Sequence, residues 1–204
     1  MALTITDFSD SIYRSHDINR SPIFYGRTGH NRFDAPDRSF AVLYAGRDLF
    51  CAFVETFARA AVTRVVTTTA LRNKSVAELR PLRPLRLIDL TESGSLVRIG
   101  TDARLFSAEH AIAQRWSKTL HDHPVAADGL LYPSRLDPTR HGIALFEDRA
   151  PRLTELSRKS WYAPGPQRIL LAQIIEHYGL ELIETQFVPA RKPTARSVQG
   201  GLFK

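Results

Sequence analysis

Apolar and polar positions divide the first sixty residues into a loop, a strand and a helix. Turn-forming and polar residues are interleaved over 21–37, which predicts an ordered loop rather than a linker. The mostly apolar run over 39–45 is short and rich in aromatic and β-branched residues, so it predicts a strand that closes at Gly46. Asp48 is a typical N-cap, and the apolar stripe that follows it predicts a helix over 49–60.

The rest of the chain alternates short strand patterns with two helices. Apolar spacing predicts a helix over 108–121 that is capped by Ser107, and Pro166 and Gly179 bracket a second helix. The strand patterns are short, apolar or alternating, and lie at 64–69, 76–79, 85–90, 130–134, 142–146 and 152–156. Pro133 predicts an edge strand or a strand end. This irregular order predicts a single-domain α+β fold with small mixed sheets.

Composition indicates one globular domain over 1–187 and a loosely ordered tail over 188–204. Hydrophobic residues make up 43% of the chain and charged residues 24%, which is ordinary for a soluble domain. The tail is rich in Pro, Arg, Lys and Gly and has little to bury. The chain has neither a long apolar run nor a basic, apolar leader, and its single cysteine, Cys51, has no disulfide partner. We therefore expect a cytoplasmic protein.

The charge balance points to anionic ligands without choosing among them. The formal net charge is +7, and most of the basic residues are arginines, whose planar guanidinium suits phosphates and carboxylates. Nucleic acid, an acidic protein and a phosphorylated small molecule all fit this balance. The sequence lacks both G-x-G-x-x-G after a strand and a Walker loop, which argues against a dehydrogenase-type dinucleotide fold and a P-loop NTPase.

Short motifs concentrate the residues that are suited to chemistry. They read Tyr13-Arg14, Arg27-Thr-Gly-His-Asn-Arg32-Phe-Asp34, Leu43-Tyr44, Ala52-Phe-Val-Glu55 and Asp128-Gly-Leu-Leu-Tyr-Pro-Ser134-Arg135. In this order and spacing they resemble the RES domain family, which is named for an Arg, a Glu and a Ser that here are Arg32, Glu55 and Ser134. The resemblance covers about 13–146. Asp34 departs from it, because many members have Asn or another residue there.

The resemblance implies a fold similar to the ADP-ribosyltransferases and an enzyme that takes NAD as its substrate, with no further cofactor. Family members cleave the nicotinamide–ribose bond by hydrolysis or phosphorolysis, deplete NAD and arrest growth as toxins. The implied partner is an antitoxin of the Xre-like DNA-binding type, so that contact with nucleic acid is indirect. One alternative is an ADP-ribosyltransferase that modifies a specific protein. A second, from the charge, is a non-enzymatic nucleic-acid-binding protein.

Residue roles follow from the chemistry that the resemblance implies. Loss of neutral nicotinamide leaves an oxocarbenium-like ribose, which a carboxylate stabilises, and Glu55 is the predicted carboxylate. Arg32 and Tyr44 complete the predicted catalytic set, with the guanidinium on the pyrophosphate and the tyrosine beside nicotinamide or ribose. The predicted NAD-binding residues are Arg14, Arg27 and Ser134. We predict no metal site, since His121-x-His123 has too few partners for zinc.

Each candidate also has a simpler interpretation. Glu55 fits an exposed helix acid paired with Arg59 at i,i+4. Arg32 fits a loop-bracing arginine, Tyr44 a core aromatic and Ser134 a turn hydroxyl. Cys51, one turn before Glu55, fits a buried inert thiol better than a cleft residue.

Overall fold

The computed structural model describes residues 2–58 and 64–185, and within them the chain forms ten strands and six helices. They occur in the order β1 (Ile5–Phe8), β2 (Ile12–Asp17), β3 (Val42–Gly46), α1 (Leu49–Phe57), β4 (Val65–Thr67), α2 (Thr68–Arg72), β5 (Lys74–Pro81), β6 (Leu85–Asp89), α3 (Ser95–Ile99), α4 (Arg104–Ser107), α5 (His110–His121), β7 (Gly129–Pro133), β8 (His141–Phe146), β9 (Leu153–Ser160), α6 (Pro166–His177) and β10 (Glu181–Ile183). The predicted tail over 188–204 and Arg59 lie outside the described residues.

Eight of these strands form one mixed sheet in the order β1-β6-β7-β8-β3-β2-β5-β9. Strands β6 and β7 pair in parallel and the other neighbours in this sheet are antiparallel, while β4 and β10 form a separate parallel pair. The predicted α+β class is confirmed. The main sheet is larger than the small sheets expected, because β1 and β2 carry no strong apolar alternation and were not predicted.

The central strands send alternate side chains to two different clusters. Val42 and Phe146 belong to a cluster that includes residues of α4 and α5, whereas their neighbours Leu43 and Leu145 belong to a second cluster on the opposite face. A third cluster around Phe53 joins α1 and α6. The sheet is therefore buried on both faces at its centre, and Tyr44 packs against the α4–α5 cluster.

Helix α1 begins where the sequence predicts. The Asp48 side chain accepts a hydrogen bond from the backbone N–H of Cys51 at 2.8 Å, as an N-cap should. Gly46 brings the helix directly onto the end of β3, because a Cβ at this position would lie 2.6 Å from the nitrogen of Ala52. Helix α6 likewise starts at Pro166, and Gly179 follows its end with a positive φ of 56°.

Several predictions of element boundaries were wrong. The helix predicted over 49–60 ends at Phe57. The strand predicted over 64–69 ends at Thr67, because the Thr67 side chain caps α2 by accepting from the Ala70 N–H at 3.2 Å. Ser107 does not cap the next helix. It is the last residue of α4, and α5 begins only at His110 after an extended Ala108. No helix in the described ranges is long and apolar enough to cross a membrane.

Candidate functional site

A cavity of about 360 Å³ opens where the loop before β3, helix α1, the α4–α5 break and the end of β7 meet. Its wall combines cationic, aromatic and amide side chains with one carboxylate: Arg14, Ser15, His30, Asn31, Arg32, Tyr44, Glu55, Phe106, His110, Tyr132, Pro133 and Arg135. The structure thus brings together four of the six predicted site residues, Arg14, Arg32, Tyr44 and Glu55. The residues lining this cavity include three arginines and a single acidic group.

Ser134 is hydrogen-bonded to the carboxylate of Glu55. Its hydroxyl donates to Glu55 Oε1 at 2.5 Å and accepts from the backbone N–H groups of Leu136 and Asp137 at 3.2 and 3.3 Å. Ser134 is only 1% exposed and does not line this cavity. The structure thus places Ser134, predicted as an NAD-binding residue, in contact with Glu55 and in the wall of a second cavity, and its role in binding NAD stays a prediction.

Arg32 is braced on one side by backbone carbonyls. Its Nη1 donates to the carbonyl oxygens of Leu105 and Ala108 at 3.3 and 2.9 Å. These two carbonyls lie at the C-terminal end of α4, where the helix stops before α5 begins. Burial, and then the like charge of Arg135, lower the pKa of Arg32, while Glu55 acts in the opposite direction. A bound anion would relieve this unfavourable placement of positive charge.

Arg14 and Arg135 supply the other two cations. Arg14 Nη1 donates to the carbonyl of Phe24 at 2.7 Å, and burial lowers the pKa of Arg14 to about 10. Arg135 is exposed at the rim. Arg135 ends one of the sequence motifs but is not among the predicted site residues, although its position directly after Ser134 was an available signal.

Arg27 lies outside the cavity. Its Nη2 forms an ion pair with Glu147 at 3.0 Å, and its Nη1 donates to the carbonyl of Ser39 at 3.4 Å. Both charged side chains are about half exposed. Arg27 was predicted to bind the substrate with Arg14 and Arg32, but it is directed to the surface of β8 and the turn after it, so we leave it out of the proposed site.

Tyr44 lines the cavity, and its hydroxyl is hydrogen-bonded to the loop before β3. The hydroxyl donates to Asp34 Oδ1 and accepts from the backbone N–H of Phe33, both at 2.9 Å. Burial, followed by the negative charge of Asp34, raises the pKa of Tyr44 well above its ordinary value. The hydroxyl is therefore a fixed hydrogen-bond donor rather than a proton acid, and the catalytic role of Tyr44 stays a prediction.

Cys51 and a second cavity lie near the first cavity. Cys51 is fully buried, and burial raises the pKa of its thiol, so it has the inert character expected from the sequence and does not line the cavity. A second cavity of about 670 Å³ adjoins the first and shares Phe106, Pro133 and Arg135 with it. Within the described ranges no three His, Cys, Asp or Glu side chains converge as metal ligands.

Comparison with known proteins assigns the chain to a family. The RES domain matches residues 11–168, which span the whole cavity wall. The chain belongs to the RES domain family. A curated relative from Sinorhizobium fredii, described as probable toxin y4kH, is 35% identical over 117 residues, covering 55% of this chain and 86% of the relative.

A solved structure shares the fold of this RES domain. The crystal structure of the M. tuberculosis MbcT-MbcA toxin-antitoxin complex contains a chain that matches with a TM-score of 0.65 at 16% identity. The match covers 82% of this chain and 92% of that one. At this identity the likeness establishes the architecture of the RES domain and leaves the chemistry to be argued from the cavity.

Proposed function

We propose that this RES domain protein cleaves the bond between nicotinamide and ribose in NAD. The observation that carries the proposal is the grouping of Glu55 with Arg14, Arg32 and Arg135 in one cavity. The pyrophosphate of NAD has two negative charges, and guanidinium groups bind such oxygens through charge-assisted hydrogen bonds. The same cavity offers one carboxylate for the ribose, where positive charge grows during the reaction.

The reaction requires little acid–base chemistry from the protein. The bond from ribose C1′ to the nicotinamide nitrogen breaks, nicotinamide leaves as a neutral molecule with the bonding electron pair, and the ribose becomes oxocarbenium-like. The Glu55 carboxylate stabilises this cation and orients the incoming nucleophile. Attack by water or phosphate at C1′ forms the new bond, and a water nucleophile releases one proton to the solvent. Ser134 keeps Glu55 ready for this role through the 2.5 Å hydrogen bond.

We further propose that the protein acts as a toxin whose partner is an antitoxin protein. The S. fredii relative carries the description probable toxin, and the structural neighbour was solved as a toxin-antitoxin complex. An enzyme that consumes NAD would arrest growth unless a partner restrains it. Co-expression with the product of the adjacent gene should then restore the growth of cells that express this chain.

Incubation of the purified protein with NAD tests the activity. We expect release of nicotinamide, and the second product identifies the acceptor: free ADP-ribose for water, a phosphorylated ADP-ribose for phosphate, and a modified polypeptide for a protein acceptor supplied as cell lysate. If the folded protein releases no nicotinamide with phosphate, without it and with lysate, the proposal is wrong.

A further inference from the structure

The loop over 26–38 carries Arg32 into the cavity without regular secondary structure. Gly26 pairs with Val42 through two backbone hydrogen bonds of 3.0 Å, and Phe33 is buried in the core. Between these anchors the loop presents His30, Asn31 and Arg32 to the cavity. A loop of this kind needs side-chain hydrogen bonds to hold one conformation, because its backbone groups pair with few partners.

Asp34 accepts several of these bonds from a buried position. The residue is 1% exposed, and its two carboxylate oxygens accept from the Tyr44 hydroxyl at 2.9 Å, the Thr28 hydroxyl at 3.0 Å and the backbone N–H of Asn31 at 3.1 Å. The Asn31 side-chain amide adds contacts of 3.2 and 3.4 Å. No arginine, lysine or histidine of the described ranges forms an ion pair with it.

A second buried carboxylate provides the contrast. Asp128, which is 2% exposed, accepts two hydrogen bonds from the Arg83 guanidinium at 2.6 and 2.8 Å and one from the Arg86 N–H at 2.8 Å. Neither Asp128 nor these partners line the cavity. Asp128 therefore has the ion pair that buried acids usually need, whereas the contacts of Asp34 given above are hydrogen bonds from uncharged groups.

The partners of Asp34 connect it with Arg32. Asn31 and Tyr44 both line the cavity, Asn31 precedes Arg32, and the Tyr44 hydroxyl also binds the N–H of Phe33, which follows Arg32. We propose that Asp34 is a positioning residue that directs Arg32 at the anionic part of the substrate. This inference rests on the proposed function for the identity of that substrate. A carboxylate fits better than an amide, since an amide nitrogen at either oxygen would face a donor.

Asp34→Asn is the most conservative test. We expect the KM for NAD to rise about tenfold, the scale of one lost hydrogen bond to a charged group, with kcat changed much less. In an Arg32→Ala background the same substitution should leave KM unchanged, because the residue acts through Arg32. Asp128→Asn is the matched control, which should lower stability in both backgrounds without raising KM. If Asp34→Asn does not fold, Tyr44→Phe removes one of the same hydrogen bonds and should show the same dependence on Arg32.

A structural measurement separates this inference from the proposed function. Crystal structures of the wild-type and Asp34→Asn proteins should show that the Arg32 guanidinium moves from the carbonyls of Leu105 and Ala108 in the variant. An unmoved Arg32, or an equal rise in KM with and without Arg32, overturns the inference even if NAD is cleaved. Absence of nicotinamide release from the wild-type protein would overturn the proposed function, and the displacement of Arg32 would still decide the positioning role.

Discussion

The two walls of the cavity are built in opposite ways. The carboxylate wall, formed by α1 and the segment that begins at Ser134, holds Glu55 on a capped helix that packs directly on β3. The arginine wall, formed by the loop over 26–38 and the exposed end of α4, holds Arg32 through hydrogen bonds to a loop and to carbonyls. The group proposed to act on the reacting bond thus lies on regular structure, and the group proposed to bind the anion lies on a braced loop.

Besides the bonds to Asp34, side chains of α5 brace the arginine wall. The Gln114 side chain donates to the carbonyls of Gly29 and Asn31 at 2.8 and 3.0 Å, and the Ser117 hydroxyl donates to the carbonyl of Phe33 at 2.7 Å. Both side chains are buried. These bonds replace the backbone ladder that a strand or helix would provide. The difference between the walls predicts that substitutions in the carboxylate wall lower kcat, whereas substitutions in the arginine wall raise the KM for NAD.

Glu55→Gln should give the largest effect. It keeps the size and a hydrogen-bond acceptor for Ser134 but removes the negative charge that stabilises the oxocarbenium ion. We expect kcat for nicotinamide release to fall about a thousandfold with little change in KM. Glu147→Gln, which removes an acid outside the cavity, is the control and should retain wild-type turnover. Substantial activity in Glu55→Gln would exclude Glu55 as the stabilising carboxylate.

Arg32→Ala and Arg27→Ala form a pair that tests the arginine wall. Both residues come from one loop, yet only Arg32 lines the cavity. We expect Arg32→Ala to raise the KM for NAD about a hundredfold, since truncation leaves a buried charge of the substrate without its partner. Arg27→Ala should change KM less than about twofold, in line with the small value of exposed ion pairs. Equal effects of the two substitutions on KM would contradict the assignment of Arg32, and not Arg27, to the anion-binding wall.

Ser134→Ala should have a smaller effect on the carboxylate wall. Glu55 keeps its charge but loses a donor, so we expect kcat to fall about tenfold with KM nearly unchanged. The N–H groups of Leu136 and Asp137 also lose an acceptor, which should lower the free energy of unfolding by about 1–3 kcal/mol. Ser95→Ala removes a buried hydroxyl that donates to the Asp89 carbonyl and lines neither cavity, so it should lower stability alone. A Ser134→Ala protein with wild-type kcat would remove the positioning role.

The carboxylate wall was the more predictable of the two. Asp48, the apolar stripe after it and Gly46 are local signals, and they place Glu55 on a helix at the end of a strand. The path of a loop has no such signal. Arg27 turns outward because it pairs with Glu147, 120 residues away. Ser107 does not cap α5 because α4 ends at Ser107 and the next residue, Ala108, is extended and accepts a hydrogen bond from Arg32. Such long-range pairings are absent from any local pattern.

The strands that were missed or predicted too short have a related explanation. Strand β9 extends four residues beyond the strand predicted over 152–156, and it is mostly exposed, so apolar alternation does not mark its end. Strand β2 buries Ile12 and His16 but carries Arg14 into the cavity, which interrupts its pattern with functional charge. Arg14 was selected through the family motif rather than through the strand. The motif therefore identified Arg14, whereas the apolar periodicity did not predict the strand that carries it.

His16, two residues after Arg14 on β2, should give the smallest effect. It is 6% exposed, its Nδ1 lies 2.8 Å from the Asp17 carbonyl and must donate to it, and its Nε2 has no hydrogen-bond partner among the described residues. Burial lowers the pKa of His16, and the charges of Arg158 and Arg14 act in the same direction. The folded protein therefore favours neutral His16, in contrast to the charged arginines of the cavity.

The sign of the pH dependence follows from this preference. As the pH falls below about 6.5, the unfolded chain binds a proton at His16 before the folded protein does, so stability decreases toward acid by at most about 1.4 kcal/mol per pH unit. His16→Gln should remove this part of the decrease in urea unfolding measured between pH 7 and pH 5. His177→Gln, at an exposed position, should leave the wild-type pH dependence intact. If His16→Gln loses stability with acid as steeply as the wild type, burial at this point of β2 does not oppose positive charge. The difference between a neutral His16 and a charged Arg14 on the same strand would then not be explained by burial.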